Sequence, residues 1–112
     1  MTIAFEPFTD DHAAFRATVR AFCDRELAPH ARAWDAAAEF PRALFARFGE
    51  LGYFGIRHPA AWGGSGLDYW YVVAYVEELA RSRSAGLNMA MLVQGEMAIP
   101  VIADLGTDEQ KR

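Results

Sequence analysis

The chain has 112 residues, of which 53% are hydrophobic, and it carries a formal net charge of −4. This length allows at most one domain, and so high an apolar fraction in a small domain indicates surface that packs against a partner. The acidic charge and the scattered basic residues, ten Arg and one Lys, argue against the basic face of a nucleic-acid-binding protein.

The sequence predicts a soluble, cytoplasmic protein. Cys23 is the only cysteine, so an internal disulfide is impossible and a reducing compartment fits. The opening residues MTIAFEPF lack the basic and apolar regions of a signal peptide. The longest apolar run, residues 69–76, has eight residues, whereas a membrane-spanning helix needs about 18. We therefore expect no membrane segment.

The first predicted helix begins at Thr9, an N-cap residue followed by two aspartates that suit the positive end of the helix dipole. Apolar residues at helical spacing then form one face: Phe8, Phe15, Val19, Phe22 and Leu27. Pro29 interrupts the pattern because proline has no N–H to donate. Residues 31–38 predict a further helical stretch, with Trp34 on one face.

A second helix and a long loop follow. Pro41 suits the first turn of the helix, and Gly52 suits its C-cap, where positive φ favours glycine. One face of this helix carries Leu44, Phe48 and Leu51. Residues 52–68 hold five glycines together with Tyr53, Phe54 and Trp62. Tight turns combined with bulky side chains predict an ordered loop that tucks into the core.

The third helix is predicted over residues 69–81, with Asp68 as its N-cap. Its first eight residues are apolar on all sides, which predicts burial on more than one side. The aromatic and β-branched content of these residues leaves a β-strand as the alternative. Glu77 and Arg81 have the spacing of a helical ion pair.

Ser84 predicts the start of a fourth helix, and Pro100 predicts a kink or a joint to a short helical stretch that ends at Gly106. Thr107 and Gln110 then have the spacing of a capping box, which begins one more helix. The whole pattern predicts an all-α fold: a bundle of about five helices with one long ordered loop, residues 52–68.

The chemically active residue types form no catalytic or metal-binding motif. The three histidines fall on separate predicted elements without metal-ligand spacing, and we expect surface or helix-end positions for His12, His30 and His58. Cys23 adjoins an apolar face and is expected to be an inert, buried side chain. The glycine-rich run 63–66 lacks the Lys-Ser/Thr ending of a phosphate-binding loop, so it predicts a turn.

Two further groups have a structural and a functional interpretation. Glu77 and Glu78 point about 100° apart on a helix and so do not face one substrate; we expect a solvated surface with one salt bridge. A methionine set either lines an apolar ligand tunnel or packs in the core, and the spacing favours the core: Met89, Met91 and Met97.

The sequence resembles the N-terminal helical domain of the flavin-dependent acyl-CoA dehydrogenases. The matching segments follow the family's order and cover nearly the whole chain: FTDDHAAFRATVRAFCDRELAPHARAWDAAAEFP, LFARFGELGYFGIRHPAAWGGSGLDYWYVVAYVEELAR and AIPVIADLGTDEQKR. The most specific parts are the GGSGLDY–EELAR series and the GTDEQK ending. The family's E-x-P-x-x-x-x-W pattern is matched loosely by Glu26, Pro29 and Trp34. The segment AGLNMAMLVQGEMAIP is most similar to dehydrogenases of branched or long acyl chains.

The resemblance implies that residues 1–112 are one domain of a longer enzyme, truncated after Arg112. Such an enzyme desaturates acyl-CoA thioesters between Cα and Cβ, uses FAD, and passes electrons to an electron-transfer flavoprotein. Its middle β-domain carries the flavin motif, and its C-terminal helical domain carries the catalytic glutamate. This chain alone is therefore expected to hold no catalytic, cofactor-binding or metal residue and to be inactive, with a second copy or the missing C-terminal portion as its partner.

The resemblance also implies that the fourth and fifth helices wall the acyl-tail cavity. The candidate wall residues are Met89, Leu92 and Glu96. A charged Glu96 suits an apolar tail poorly, so a domain boundary is its alternative position, with Gln94 or Gly95 nearer the tail. A hypothesis of another class stays open, an independent helical interaction module without catalytic activity, which the single-domain size and the apolar surplus favour.

Overall fold

The computed structural model describes residues 6–112, and all regular structure in this range is helical. Five helical runs follow one another: α1 Asp10–Phe22 with a π-turn Cys23–Leu27, a 3₁₀ turn Ala28–His30 and α2 Ala31–Ala37; α3 Ala43–Glu50; α4 Tyr69–Leu79 with a 3₁₀ turn Ala80–Ser82; α5 Ala85–Leu92 with a π-turn Val93–Ala98 and α6 Ile99–Leu105; and α7 Asp108–Lys111. The all-α prediction is confirmed, and the strand alternative for residues 69–76 is wrong. The prediction that the chain has no signal peptide rests largely on residues 1–5, which lie outside the described residues.

His12 joins the N-termini of α1 and α4. Its Nδ1 accepts a hydrogen bond of 2.9 Å from the Thr9 N–H, and the Thr9 hydroxyl accepts from the His12 backbone, which completes a capping box. Because Nδ1 is an acceptor, Nε2 carries the proton and donates it to Asp68 at 3.0 Å. The Asp68 carboxylate also caps α4. The predicted helix-end position of His12 is confirmed, but the side chain is only 4% exposed.

The first helical run changes its winding near Pro29 instead of breaking. The Ala28 N–H donates to the carbonyl of Cys23, five residues earlier, which closes the π-turn. Pro29 then lies in the first turn of the 3₁₀ stretch, where a missing N–H costs no helical hydrogen bond. The predicted interruption is therefore a change of hydrogen-bond pattern within one continuous run.

An aromatic cluster forms the centre of the core. The ring centroid of Phe22 lies 5.3 Å from that of Phe48 and 5.6 Å from that of Tyr53. Tyr53 in turn lies 5.2 Å from Tyr75. The two contacts of Phe22 are edge-to-face, a geometry that contributes beyond the area the rings bury. Cys23 is fully buried beside them, which confirms its predicted burial, and burial raises the pKa of its thiol to about 12.

The end of α3 delivers Tyr53 into this cluster. Gly52 has φ +81°, and two hydrogen bonds close a Schellman motif, from the Tyr53 N–H to Phe48 and from the Gly52 N–H to Gly49. The predicted C-cap is confirmed. Pro41 lies just before α3 and not in its first turn.

Helix α4 is buried on one side only. Its buried residues are Val72, Ala74, Tyr75, Glu78 and Leu79. Tyr69 is 58% exposed and Val76 is 37% exposed, so the predicted burial on more than one side is wrong for this chain. The exposed apolar side of α4 is surface that a neighbouring polypeptide can cover.

Glu78 forms a buried ionic cluster between the first and third runs. Its carboxylate is 4% exposed and accepts from Arg20 at 2.8 and 3.0 Å, with Arg16 at 3.3 Å and Arg81 at 3.8 Å. The expected solvated surface at this position is wrong, because three guanidinium groups replace water around the carboxylate.

The remaining charged groups of α4 also pair across helices. The predicted partner of Glu77 is Arg81, but the structure places Glu77 2.8 Å from Arg16. Arg81 donates to Asp24 at 3.1 Å. The i,i+4 pair is therefore replaced by pairs that tie α4 to the first run.

The chain is a flat slab of 49 × 37 × 22 Å with a radius of gyration of 15.2 Å. A compact domain of this length has a radius of gyration of roughly 13 Å.

The fourth run, Ala85–Leu105, is long and apolar enough to cross a bilayer by length and composition, with a mean hydropathy of 1.3. This length and composition fit both a membrane span and a helix that docks on protein, so the expected absence of a membrane segment stays a prediction.

We expect Glu78→Gln to lower the free energy of unfolding by about 2 kcal/mol, because it removes the charge from the hydrogen bonds that the buried Glu78 carboxylate accepts from Arg16 and Arg20. Urea unfolding followed by circular dichroism measures the change. Glu77→Gln is the matched control, and since Glu77 is exposed we expect almost no effect. Equal stability of the two variants would contradict the cluster's role.

The same carboxylate predicts a pH dependence. Hydrogen bonds from Arg20 hold the pKa of Glu78 below its ordinary value of 4.5. A carboxyl with a depressed folded pKa stabilises the fold above its unfolded pKa, and this contribution is lost as the pH falls through the folded pKa. Unfolding measured between pH 7 and pH 3 should therefore show a shallower acid loss in Glu78→Gln than in the unsubstituted chain. If the free energy of unfolding fell equally with pH in both proteins, Glu78 would not be the source of the acid sensitivity.

Candidate functional site

Five exposed apolar residues follow one another along the fourth run. We call them the outer stripe: Met89, Val93, Met97, Val101 and Leu105, with exposed fractions of 62, 42, 62, 56 and 83%. Residues four apart on a helix are neighbours, and the stripe is about 24 Å long at 1.5 Å per residue. An uncharged apolar ridge of this length is typical of a surface that another polypeptide or an apolar ligand covers.

The inner side of the same run packs on the ordered loop. Gly95 is buried, and a Cβ at this position would lie 3.4 Å from the Phe54 ring. The loop and the run border a cavity of about 200 Å³ that is open to solvent on one side. Glu96 lies at this cavity, 3.3 Å from the Arg57 guanidinium, which itself lies 4.6 Å from the centroid of the Tyr69 ring. The inner side is therefore mixed in polarity, unlike the outer stripe.

The three predicted wall residues do not share a surface. Met89 is on the outer stripe, Leu92 packs against the core, and Glu96 lines the inner cavity. The spacing i, i+3, i+7 would bring them together on an α-helix. The π-turn Val93–Ala98 has more residues per turn, and it turns Glu96 away from Met89.

The methionines divide between the two interpretations made from sequence. Met91 is fully buried, as the core interpretation predicts. Met89 and Met97 are each 62% exposed, so core packing is wrong for both of them. Sequence reasoning also missed Val93 and Val101, although the four-residue spacing of apolar side chains was visible in the sequence.

The glycine-rich run is a turn and does not fit a phosphate. Its backbone donors are already used within the loop: Gly64 N–H to Pro59, Ser65 to Gly55, Gly66 to His58 and Leu67 to Ile56, at 2.8–3.1 Å. A phosphate-binding loop needs free N–H groups. The predicted turn is confirmed, and these residues do not fit the pyrophosphate of the FAD that the resemblance implies.

The loop also contacts the last residues of the chain, at the end of α7. His58 Nε2 donates to the Lys111 carbonyl at 2.9 Å, and the Arg112 guanidinium carbon lies 5.5 Å from the centroid of the Trp62 ring. The predicted capping box of α7 is confirmed, since Thr107 and Gln110 exchange both hydrogen bonds. The direction of the chain at residue 112 is thus fixed by contacts to the loop.

Comparison with known families and curated proteins gives a consistent match. The family model described as "Acyl-CoA dehydrogenase, N-terminal domain" matches residues 9–112. Benzylmalonyl-CoA dehydrogenase of Aromatoleum aromaticum is 41% identical over 98 residues, which are 88% of this chain and 26% of that protein. The chain therefore spans about a quarter of the length of the curated relatives it matches.

Solved structures agree with the sequence match. An acyl-CoA dehydrogenase from Geobacillus kaustophilus superposes with a TM-score of 0.87 at 30% identity, over 96% of this chain and 28% of that chain. A structure described as an electron transferring flavoprotein of Acidaminococcus fermentans gives a TM-score of 0.84 at 30% identity, over 97% of this chain and 28% of that chain. In both, the similarity covers one part of a larger polypeptide.

We expect Gly64→Ala to destabilise the chain by about 1–3 kcal/mol through overpacking. A Cβ at Gly64 would overlap the backbone carbonyl of His58, which is already fixed by the N–H of Gly66. Denaturant unfolding measures the loss.

Gly86→Ala is the control for this substitution. No atom lies within 4 Å of a Cβ there, and Gly86 lies inside α5, where alanine is the better helix former. We expect its stability to be equal or slightly higher. A Gly64→Ala variant as stable as Gly86→Ala would show that the loop is not held in the described conformation.

Proposed function

Since this chain belongs to the acyl-CoA dehydrogenase family, as its N-terminal domain, we propose that it is the helical domain of an enzyme that desaturates acyl-CoA thioesters between Cα and Cβ. In this proposal the domain packs against a flavin-binding domain and walls part of the acyl-tail cavity. The observation that carries it is the outer stripe, because an exposed apolar ridge on an otherwise well-packed domain requires a cover.

The N-terminal half of the outer stripe, which begins on α5, suits contact with the acyl tail. Met89, Val93 and Met97 present apolar, uncharged side chains, and the thioethers adapt their shape to a flexible chain. Among the wall residues proposed from the sequence, Met89 fits this role directly. Leu92 supports the stripe from the core side, while the Arg57 ion pair holds Glu96 at the inner cavity. The geometry favours Val93 and Met97 as the neighbours of Met89.

The other end of the stripe suits contact with protein. Val101 and Leu105 are 56 and 83% exposed, and they lie on α6, the helix that precedes α7. The exposed Tyr69 and Val76 of α4 form a second apolar surface. Together these surfaces support packing of the chain within a larger assembly, with further polypeptide of the same enzyme or a second copy as the partner.

The redox chemistry belongs to the complete enzyme. Bound FAD would supply the redox chemistry of that enzyme, and we propose an electron-transfer flavoprotein as its electron acceptor. The glycine-rich loop of this chain does not fit the cofactor, so we assign FAD and the catalytic base to polypeptide outside these residues and expect no activity from the chain alone. A cytoplasmic location remains part of the proposal. The alternative of an independent interaction module is not favoured, because the family match extends over residues 9–112.

A domain exchange tests the proposal. Residues 9–112 would replace the matching domain of the Aromatoleum aromaticum benzylmalonyl-CoA dehydrogenase. We expect the chimera to retain flavin and to oxidise that enzyme's substrate, and we expect Met97→Glu in the chimera to lower kcat/KM by about tenfold or more, because a buried charge beside an apolar tail is unfavourable. Flavin absorbance and dye reduction are the measurements.

Met97→Leu is the matched control, since it keeps the position apolar, and its kcat/KM should stay within about twofold. A folded chimera that holds no flavin would refute the domain assignment. An active chimera in which Met97→Glu behaves like Met97→Leu would refute the acyl-tail role of the stripe while leaving the domain assignment intact.

A further inference from the structure

Two tyrosine hydroxyls in the core have no hydrogen-bond partner among the described residues, those of Tyr53 and Tyr75. Their side chains are almost completely buried, with exposed fractions of 2 and 1%. A buried hydroxyl without a partner costs about 1–3 kcal/mol, and folded proteins satisfy nearly all such groups with protein or with internal water. The proposed function uses neither hydroxyl, so they require a separate explanation.

The two hydroxyls belong to neighbouring rings. Tyr53 comes from the start of the ordered loop and Tyr75 from the middle of α4, and their ring centroids are 5.2 Å apart at an interplanar angle of 40°. The oxygens are nevertheless too far apart or too poorly aligned to bond to each other. The surroundings offer few polar groups, since Tyr53 contacts the rings of Phe15, Phe22 and Phe48.

Cys23 is the polar neighbour that both tyrosines share. Cys23, Tyr53 and Tyr75 lie in the same buried core cluster, and Cys23 is fully buried there. Burial raises the pKa of Tyr53 to about 12 and also raises the pKa of Tyr75. A thiol is only a weak donor and acceptor. It therefore satisfies neither hydroxyl fully, but it adds a third polar group to the same part of the core.

We infer that one internal water molecule binds between the hydroxyls of Tyr53 and Tyr75, next to Cys23. A buried water typically makes about three hydrogen bonds to otherwise unpaired groups, and two hydroxyls with one thiol match that number. The water links the loop, α4 and the end of α1 at the centre of the aromatic cluster. It is a structural ligand, and its presence does not depend on the proposed enzymatic role.

Tyrosine-to-phenylalanine variants test this inference. Each substitution keeps the ring and removes one bond to the water, so we expect Tyr53→Phe and Tyr75→Phe each to lower the thermal unfolding midpoint by about 4 °C or more. The double variant should lose clearly less than the sum, because both hydroxyls serve one molecule. Tyr69→Phe, whose side chain is largely exposed, is the control and should leave the midpoint nearly unchanged.

Two results would overturn the inference. A single variant that unfolds at the same or a higher temperature would show that its hydroxyl is unpaired in the native chain. Strictly additive losses would show that the two hydroxyls have separate partners. A high-resolution crystal structure gives a second measurement, in which we expect one ordered water within about 3.2 Å of both oxygens; a dry site would equally exclude the proposal.

Discussion

The buried carboxylate of Glu78 fixes how the first and third helical runs pack, and the rest of the slab is arranged on that pair. A carboxylate with so little exposure is stable only when its partners are in place, so Arg16 and Arg20 restrict the rotation and the register of α1 against α4. At the other end of the same pair, His12 and Asp68 join the two helix N-termini. Helices tied at both ends leave an interior of fixed shape between them, and the aromatic cluster fills it.

This fixed frame explains why the fourth run has two unlike sides. The Schellman turn after α3 delivers Tyr53 to the interior and places Phe54 directly against Gly95. Gly95 is buried, and a Cβ there would lie in van der Waals contact with the Phe54 ring, so the inner side of the run packs closely on the loop at this position. The opposite side has no element of the described chain to pack on, and the exposed Met97 shows the consequence.

Local signals were read correctly from the sequence, because each depends on residues within one helical turn. The helix starts follow from hydroxyl or carboxylate groups that bond to a backbone N–H two or three residues ahead. The structure confirms these caps: Thr9, Asp68, Ser84 and Thr107. The partners of Glu78 were not readable, since Arg16 and Arg20 lie 62 and 58 residues away in the sequence. Burial of a charged residue is a tertiary property, and helix periodicity alone placed Glu78 in solvent.

The candidate wall of the acyl-tail cavity shows the same division between local and tertiary information. Resemblance to a family identifies the helix that carries a site, but the winding of that helix decides which residues face outward. The π-turn Val93–Ala98 has no sequence signature that periodicity can detect, and it separates Met89 from Glu96 although their spacing suits one surface. A group held at the inner cavity by Arg57 cannot contact a ligand on the outer stripe without breaking its ion pair. The side chains beside Met89 on the exposed surface, Val93 and Met97, are therefore the ones whose size and polarity can shape what lies against this domain.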